Sequence, residues 1–335
     1  MRFREGDLIE DLSGVIFDVK GLVHPPDKVV SFPRFVPDVE GERKRGHVTY
    51  RKVYSLSARY ELSKKRFPKY LIQDTMFGEL LCEVPVEDVS RHYRPCERLQ
   101  ELRSSKRLDT LELDALDFVL LLKDYANTSW SALGISGSIL AKLHTSNSDI
   151  DPIVYGAENC RKVRSALKLS HKRKSSLVRS YSKEELRTLF DFRSKDTQVN
   201  FEDFVRTESK KVLQGKYRGR DYFVRCVKNW GEVREKYGDA HYSNVGCARI
   251  KATVIDASES VFTPCTYKIE RVRVLKGNEE PISEIASFRG RFCEQAENDE
   301  AVVAQGKLER VQNRNGEVHY RLLLGNKSSD FMILA

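Results

Sequence analysis

The chain has 335 residues, of which 40% are hydrophobic and 32% are charged, and its formal net charge is +9. This length and composition predict a soluble globular protein of two or three domains. No run approaches the roughly eighteen apolar residues of a membrane span, and the N-terminus lacks a signal-peptide core, so we expect a cytoplasmic protein with no membrane partner. The basic balance favours a polyanionic partner.

Residues 1–95 have the pattern of a β-rich region. Apolar and β-branched runs predict strands at 15–23, 29–32, 48–60 and 77–84, and prolines are expected to end several of them. No long helix is expected here. The positively charged run Arg43–Arg45 is predicted to lie in an exposed loop, where it would attract a polyanion.

Residues 96–130 change to a helical period. Leucines from Leu108 to Leu122 recur on one face, and Asp109 or Thr110 is available as the N-cap of the helix.

A glycine-serine pair follows, between an apolar stretch at 132–135 and helix-compatible residues at 139–143. A strand that turns into a helix through Gly137 and Ser138 directs backbone N–H groups and a hydroxyl outward, which suits a phosphate. Glycine permits close approach of the ligand because it has no Cβ. Lys142, one turn later, is a candidate for a further phosphate contact.

Two aspartates come next, on a segment of strand-like composition. Side chains alternate along a strand, so Asp149 and Asp151 are expected on one side, roughly 6.5–7 Å apart at their Cα atoms. Paired carboxylates suit Mg²⁺ or Mn²⁺, and two such ions about 4 Å apart would activate a hydroxyl and stabilise a leaving pyrophosphate. Pro152 lacks an N–H, which predicts an edge strand or a bulge. The alternative interpretation is a capped turn followed by two surface aspartates.

Gly-Ser, about ten residues, and then Asp-x-Asp on a strand resembles the signature of the DNA polymerase beta-like nucleotidyltransferase superfamily, and more narrowly the predicted nucleotidyltransferases of archaea. The resemblance covers about residues 115–230. It implies that Gly137 and Ser138 hold the triphosphate of an NTP, with Asp149 and Asp151 as catalytic metal ligands. It also implies a third carboxylate from a later strand, for which Asp221 is our choice and Asp256 and Glu270 are the rivals.

Two further polar residues lie near the motif. His144 lies between the turn and the aspartates, where it would touch phosphate or metal, or else be a structural or solvated imidazole. Ser148 is a candidate to orient one aspartate by a hydrogen bond.

The rest of the chain predicts helices at 157–169, from Ser182 through a capping box, and from Asn200 to Leu213. Residues 216–223 interleave basic and aromatic side chains, which fits either single-strand binding or an ordinary strand. Strands are expected at 221–228, 246–256 and four times after residue 257, with an Asn315–Gly316 hairpin. The basic run Lys172–Lys174 is expected in a loop. Seven cysteines without a C-x-x-C pair predict reduced thiols.

Together these patterns predict an α+β fold. A nucleotidyltransferase core at 96–256, a mixed sheet with helices, would be flanked by β-rich regions at 1–95 and 257–335 that possess similar strands and can pack together.

The expected function is metal-dependent transfer of a nucleoside monophosphate from an NTP to an acceptor hydroxyl, with an RNA or tRNA-like 3′ end as the favoured acceptor. The alternatives are a protein or small-molecule acceptor, and a nucleic-acid-binding β module with an inactive core. The sequence does not specify the oligomeric state.

Overall fold

The computed structural model describes residues 2–173 and 177–335 of a mixed α/β protein. Its contacts divide the chain into two compact units. The first comprises residues 1–72, 80–179 and 212–234, and the second comprises residues 73–79, 180–211 and 235–335. This division differs from the three regions expected from sequence, because most of 1–95 shares a unit with the Gly-Ser and aspartate segments. Lys174, in one predicted basic run, lies outside the described residues.

In the part of the chain that the structure describes, the first unit is built mainly from one eight-stranded sheet, two three-stranded sheets and five α-helices. Its strands are β1 (Leu8–Asp11), β2 (Ile16–Val19), β3 (Lys28–Pro37), β4 (Arg43–Arg45), β5 (Val48–Lys52), β6 (Leu71–Asp74), β7 (Glu79–Pro85), β8 (Val89–Tyr93), β9 (Leu133–Ile135), β10 (Pro152–Tyr155), β11 (Val178–Arg179), β12 (Gln214–Tyr217), β13 (Arg220–Phe223) and β14 (Arg225–Val227). Its helices are α1 (Leu56–Arg66), α2 (Pro95–Ser104), α3 (Thr110–Ala126), α4 (Gly137–Leu140) and α5 (Ala157–His171).

The N-terminal sheet has the strand order β4-β5-β3-β2-β1-β8, and β7 also pairs with β3. One buried cluster joins it to the segment after the Gly-Ser pair, because Leu8, Ile16 and Phe35 pack with Leu140 and Leu143. The N-terminal strands therefore form part of the same core as the candidate site.

Three expectations for this region were wrong. The segment 48–60 is not one strand: β5 ends at Lys52, and α1 begins after Ser55, whose hydroxyl accepts the Ala58 N–H and so caps the helix. Strand β3 also runs through Pro33, where the ladder to β2 shifts register and so tolerates the missing N–H. Arg43–Arg45 forms a strand rather than a loop.

The helices before the Gly-Ser pair are partly as expected. Asp109 caps α3, and its carboxylate and the Glu112 side chain form a reciprocal capping box, so the predicted N-cap is confirmed. Helix α2 was missed; it begins at Pro95, a residue suited to the first helical position.

A three-stranded sheet, β14-β10-β9, carries the Gly-Ser and aspartate segments. The expectation that Pro152 marks an edge strand or a bulge is wrong, because β10 is the central strand. Pro152 is its first residue, paired opposite Ile135, and a proline is tolerated at that position.

The second unit contains α6 (Lys183–Arg193), α7 (Phe201–Glu208) and the strands β15 (Ala240–Asp256), β16 (Cys265–Gly277), β17 (Ile282–Ser287), β18 (Ala301–Asn313), β19 (Val318–Leu324) and β20 (Phe331–Leu334). The strand order is β15-β16-β17-β19-β18-β20, and β15 also pairs with β18, so five strands close into a ring around an apolar core.

Local signals in the C-terminal half are largely confirmed. Ser182 forms the predicted capping box, and the Asn315–Gly316 turn joins β18 to β19, with Gly316 at φ +87°. Asn200 caps α7, but that helix ends at Glu208 rather than Leu213, and the Leu213 carbonyl accepts the Val224 N–H at 2.7 Å. All seven cysteines are free thiols. Within the described residues, no helix combines the length and apolar character that crossing a membrane requires.

We predict that His24 makes the first unit acid-sensitive. Its Nδ1 accepts the Val30 N–H at 3.2 Å and its Nε2 lies 3.1 Å from the Phe3 carbonyl oxygen, so both nitrogens are used by the neutral ring. Burial lowers its pKa from 6.5 to about 4. The unfolded state therefore takes up the proton first, and stability present above pH 6.5 is lost as the pH falls toward 4.

Denaturant unfolding should show a loss on the order of 2 kcal/mol over this pH range from His24 alone. His24→Gln should be less stable at pH 8 but flatter in its pH dependence. The same change at the exposed His47 is the control. An unaltered pH profile in His24→Gln would contradict the assignment.

Candidate active site

The turn after β9 is held by two hydrogen bonds from Ser136. Its backbone N–H donates to the Asp151 carbonyl at 2.9 Å, and its hydroxyl donates to the Gly6 carbonyl at 2.6 Å. The chain then turns through Gly137, at φ +64°, into the single helical turn α4. The predicted strand–turn–helix is confirmed.

Gly137 packs directly against one of the two aspartates. A Cβ built on Gly137 would lie 1.9 Å from Oδ2 of Asp151, which is impossible without displacement. The positive φ also disfavours any other residue. The structure thus brings the Gly-Ser turn and Asp151 together, as the sequence predicted.

Asp149 and Asp151 flank a fixed residue. The Ile150 N–H donates to the Asp221 carbonyl at 2.9 Å, and the Ile150 carbonyl accepts the Phe223 N–H at 3.0 Å. Ile150 is fully buried, and in extended backbone its two neighbours project to the opposite face. Both aspartates therefore share one side, although the regular strand begins only at Pro152.

The electrostatics favour a bound cation. Burial, and second the charge of Asp149, raise the pKa of the Asp151 carboxyl to about 7. Three cations, Arg225, Lys52 and Arg34, act to lower this pKa without outweighing burial. Two carboxylates whose negative charges disfavour each other fit a divalent metal ion, which would neutralise both.

Ser138 offers a hydroxyl without a protein partner. Its Oγ is buried and forms no hydrogen bond to any residue that the structure describes, whereas buried polar groups are ordinarily satisfied. An orphaned hydroxyl next to Gly137 fits a phosphate or water ligand. The turn and the aspartate segment thus offer oxygen donors and a hydroxyl of the kinds that bind a metal ion and a phosphate group.

Three cations that act on the Asp151 carboxyl, Arg225, Lys52 and Arg34, were not identified from the sequence. Arg225 pairs with the fully buried Glu5 at 2.5 Å. Lys52 and Arg34 come from β5 and β3. Burial, and then Arg34, lower the pKa of Lys52 to about 8, although Asp149 and Asp151 raise it. Nothing in the sequence distinguishes these residues from surface cations, because they lie far from the motif.

Three predicted neighbours point elsewhere. The Lys142 ammonium pairs with Glu101 at 2.9 Å. His144 Nε2 lies 2.7 Å from an Asp109 oxygen, and the Ser148 hydroxyl accepts the Thr145 N–H at 3.0 Å. None of these contacts involves the aspartate pair, so the expected phosphate and orienting roles lack support.

Asp221 lies at the register position beside Asp149, because Ile150 pairs with Tyr222 in parallel fashion. Its side chain is half-exposed and pairs with Lys216 at 3.1 Å. The nearby Arg218 and Arg220 pair with Asp114 on α3, which favours an ordinary strand for 216–223. The rivals for the third carboxylate, Asp256 and Glu270, belong to the second unit.

Among the residues described, the set of three potential metal ligands with atoms mutually within 4.8 Å is Asp109, Glu112 and His144. Asp109 and Glu112 already cap α3, which explains their proximity. Asp149, Asp151 and Asp221 do not form such a set, so a third carboxylate remains a prediction.

We predict that Gly137→Ala is far more disruptive than Gly46→Ala. Gly46 has nearly the same φ, +62°, but no atom lies within 4 Å of the position that its added methyl group would take. Both variants carry the left-handed backbone cost of about 1–2 kcal/mol, whereas only Gly137→Ala displaces Asp151, for roughly 1–3 kcal/mol more. Denaturant unfolding of both measures the difference, and equal losses would refute the close packing.

Comparison with known proteins identifies relatives but no activity. No family model and no solved structure matches the chain. It is 33% identical over 340 residues to the "Uncharacterized protein MJ1086" of Methanocaldococcus jannaschii, an alignment that covers 99% of this chain and 98% of the relative. Likeness over nearly the full length of both shows common descent, and the chain therefore belongs to the same family as this archaeal protein.

Proposed function

We propose that the protein is a metal-dependent nucleotidyltransferase that transfers a nucleoside monophosphate from an NTP to an acceptor hydroxyl. The observation that carries the proposal is the packing of Gly137 against the Asp151 carboxylate. The turn would then bind a phosphate group, and the metal ion held by the acid would bind the same triphosphate. The mixed α/β first unit would be the nucleotidyltransferase core.

Each residue has a role in this proposal. Asp149 and Asp151 bind the metal, and Asp221 is the candidate third carboxylate. The Ser138 hydroxyl and the backbone of the turn at Gly137 receive the triphosphate. Mg²⁺ or Mn²⁺ would supply charge neutralisation and activation of the acceptor hydroxyl. The chain's own contribution is to orient the nucleotide and hold the two acids on one side of the sheet.

The acceptor is proposed to be a nucleic-acid 3′ end of RNA or tRNA-like type. The support is the net charge of +9, which attracts a polyanion. Transfer to a protein or small-molecule hydroxyl is the alternative within the same chemistry, and an inactive core with a binding role is the alternative outside it.

Replacing either aspartate should abolish transfer. Asp149→Asn and Asp151→Asn each remove a metal-binding charge, so incorporation of labelled nucleotide in the presence of Mg²⁺ should fall by about a hundredfold or more. Asp124→Asn changes an exposed acid that contacts Lys123 and is the matched control. Wild-type transfer in both site variants would end the proposal.

Salt dependence separates the two classes of acceptor. If the acceptor is RNA, binding to a single-stranded oligonucleotide should weaken by about tenfold or more between about 50 and 200 mM salt, because counterions are released on binding. Fluorescence anisotropy with the catalytic metal omitted measures this. Binding that is absent, or flat with salt, would favour a protein or small-molecule acceptor.

A further inference from the structure

A lysine of the N-terminal sheet is fixed close to the aspartate pair. Lys52 is the last residue of β5 and pairs in register with Phe35 of β3. Phe35 is buried together with Leu140 and Leu143, which follow directly after the Gly-Ser turn. The end of β5 is therefore anchored to the same apolar cluster as the segment that carries Gly137.

The ammonium of Lys52 has no anionic partner in contact with it. In residues 2–173 and 177–335, its Nζ forms no ion pair or hydrogen bond, and it lies 5.1 Å from the centre of the Tyr54 ring. The adjacent Arg51, on the other face of β5, pairs with Asp38 at 3.1 Å. Lys52 thus differs from Arg51, because its ammonium is partly buried and has no anion in contact with it.

The charges around Lys52 indicate which kind of ligand would bind there. Asp149 and Asp151 act on its ammonium from nearby without touching it, and Arg34 adds a second positive charge. The Arg34 guanidinium is held in place by the Val53 carbonyl at 3.1 Å. Two cations thus lie beside two acids, and Lys52 pairs directly with neither acid. A ligand that carries both negative charge and a metal ion would complement this arrangement, with its negative charge facing the cations and its metal ion facing the acids.

We infer that Lys52, assisted by Arg34, binds the polyphosphate of the nucleotide whose metal is held by Asp149 and Asp151. The inference rests on the proposed function and adds a substrate-binding residue from outside the Gly-Ser and aspartate segments. A lysine acts on phosphate as a mobile point charge, which suits terminal phosphate oxygens. The ligand class is a metal-complexed di- or triphosphate rather than a nucleoside.

The competing explanation is that Lys52 is only a counter-ion that stabilises the two acids. The two roles predict opposite effects on stability. Because burial already disfavours the charge of Lys52, as its lowered pKa shows, an apolar replacement should melt no lower than wild type if the role is ligand binding. A stabilising counter-ion would lower the melting temperature when removed.

The test is calorimetric titration of wild type, Lys52→Met, Lys52→Arg and a control at pH 8. The control is Lys65→Met, because Lys65 is exposed in the last turn of α1, a helix of the same unit. The probes are Mg²⁺ alone, and Mg²⁺ with inorganic tripolyphosphate, with ATP and with AMP.

Lys52→Met should weaken binding of tripolyphosphate and ATP by about tenfold to a hundredfold, and that of AMP by less, since a charge-assisted contact is lost. Mg²⁺ alone should bind at least as tightly, because Lys52 repels a cation. Lys52→Arg should retain most of the affinity, and Lys65→Met should match wild type.

The outcomes distinguish a failure of the Lys52 inference from a failure of the proposed function. If wild type binds Mg²⁺ and ATP and Lys52→Met binds both equally, or if Lys52→Arg loses as much as Lys52→Met, the role of Lys52 is overturned while the proposed function stands. If wild type binds neither tripolyphosphate nor ATP in the presence of Mg²⁺, the role of Lys52 and the proposed function are both contradicted.

Discussion

The site depends on the pairing of β9 with β10. Pro152 stands opposite Ile135, and the hydrogen bond from the Ser136 N–H to the Asp151 carbonyl continues this pairing one residue further. That register places Gly137 against the Asp151 carboxylate. A shift of one residue would turn the acid to the opposite face of the sheet, so the short antiparallel ladder determines whether phosphate and metal ligands meet.

Burial disfavours the charged forms of both Asp151 and the lysine near it. The carboxyl of Asp151 has a raised pKa and the ammonium of Lys52 a lowered one, although opposite charges ordinarily move both pKa values the other way. Burial outweighs their mutual attraction because the groups do not touch. Such an arrangement gives up stability, which is typical of residues retained for binding or catalysis.

Local features could be predicted from the sequence and distant ones could not. The caps at Asp109, Ser182 and Asn200 and the turn at Gly316 depend on residues within four positions, and all four were found. Gly137 and Asp151 are 14 positions apart, and their proximity was predicted from the motif and its resemblance to a known family rather than from local propensity. Lys52 was not found, because its proximity to Asp149 arises from tertiary packing across about a hundred residues.

The errors also have physical causes. Residues 48–60 alternate like a strand at first, but the Ser55 hydroxyl caps a helix that begins at Leu56. Pro33 was expected to end a strand, but a register shift accommodates it. Pro152 was expected to mark an edge strand or a bulge, but it is tolerated as the first residue of a central strand. Lys142 and His144 are close to the motif in sequence, but their side chains contact other residues. Lys142, in the αL conformation at φ +55°, pairs with Glu101, and His144 contacts Asp109.

The parallel pairing of β10 with β14 has a consequence during biosynthesis. Val227, which pairs with Tyr155, is translated about seventy residues later, an interval of roughly 4–15 s at about 5–20 residues per second. Until then one edge of the central strand has unpaired backbone N–H and C=O groups, on a segment whose side chains are largely apolar. A nascent chain of this protein is thus exposed to misassociation on the ribosome for seconds, and a chaperone that shields short hydrophobic strands would find its target there.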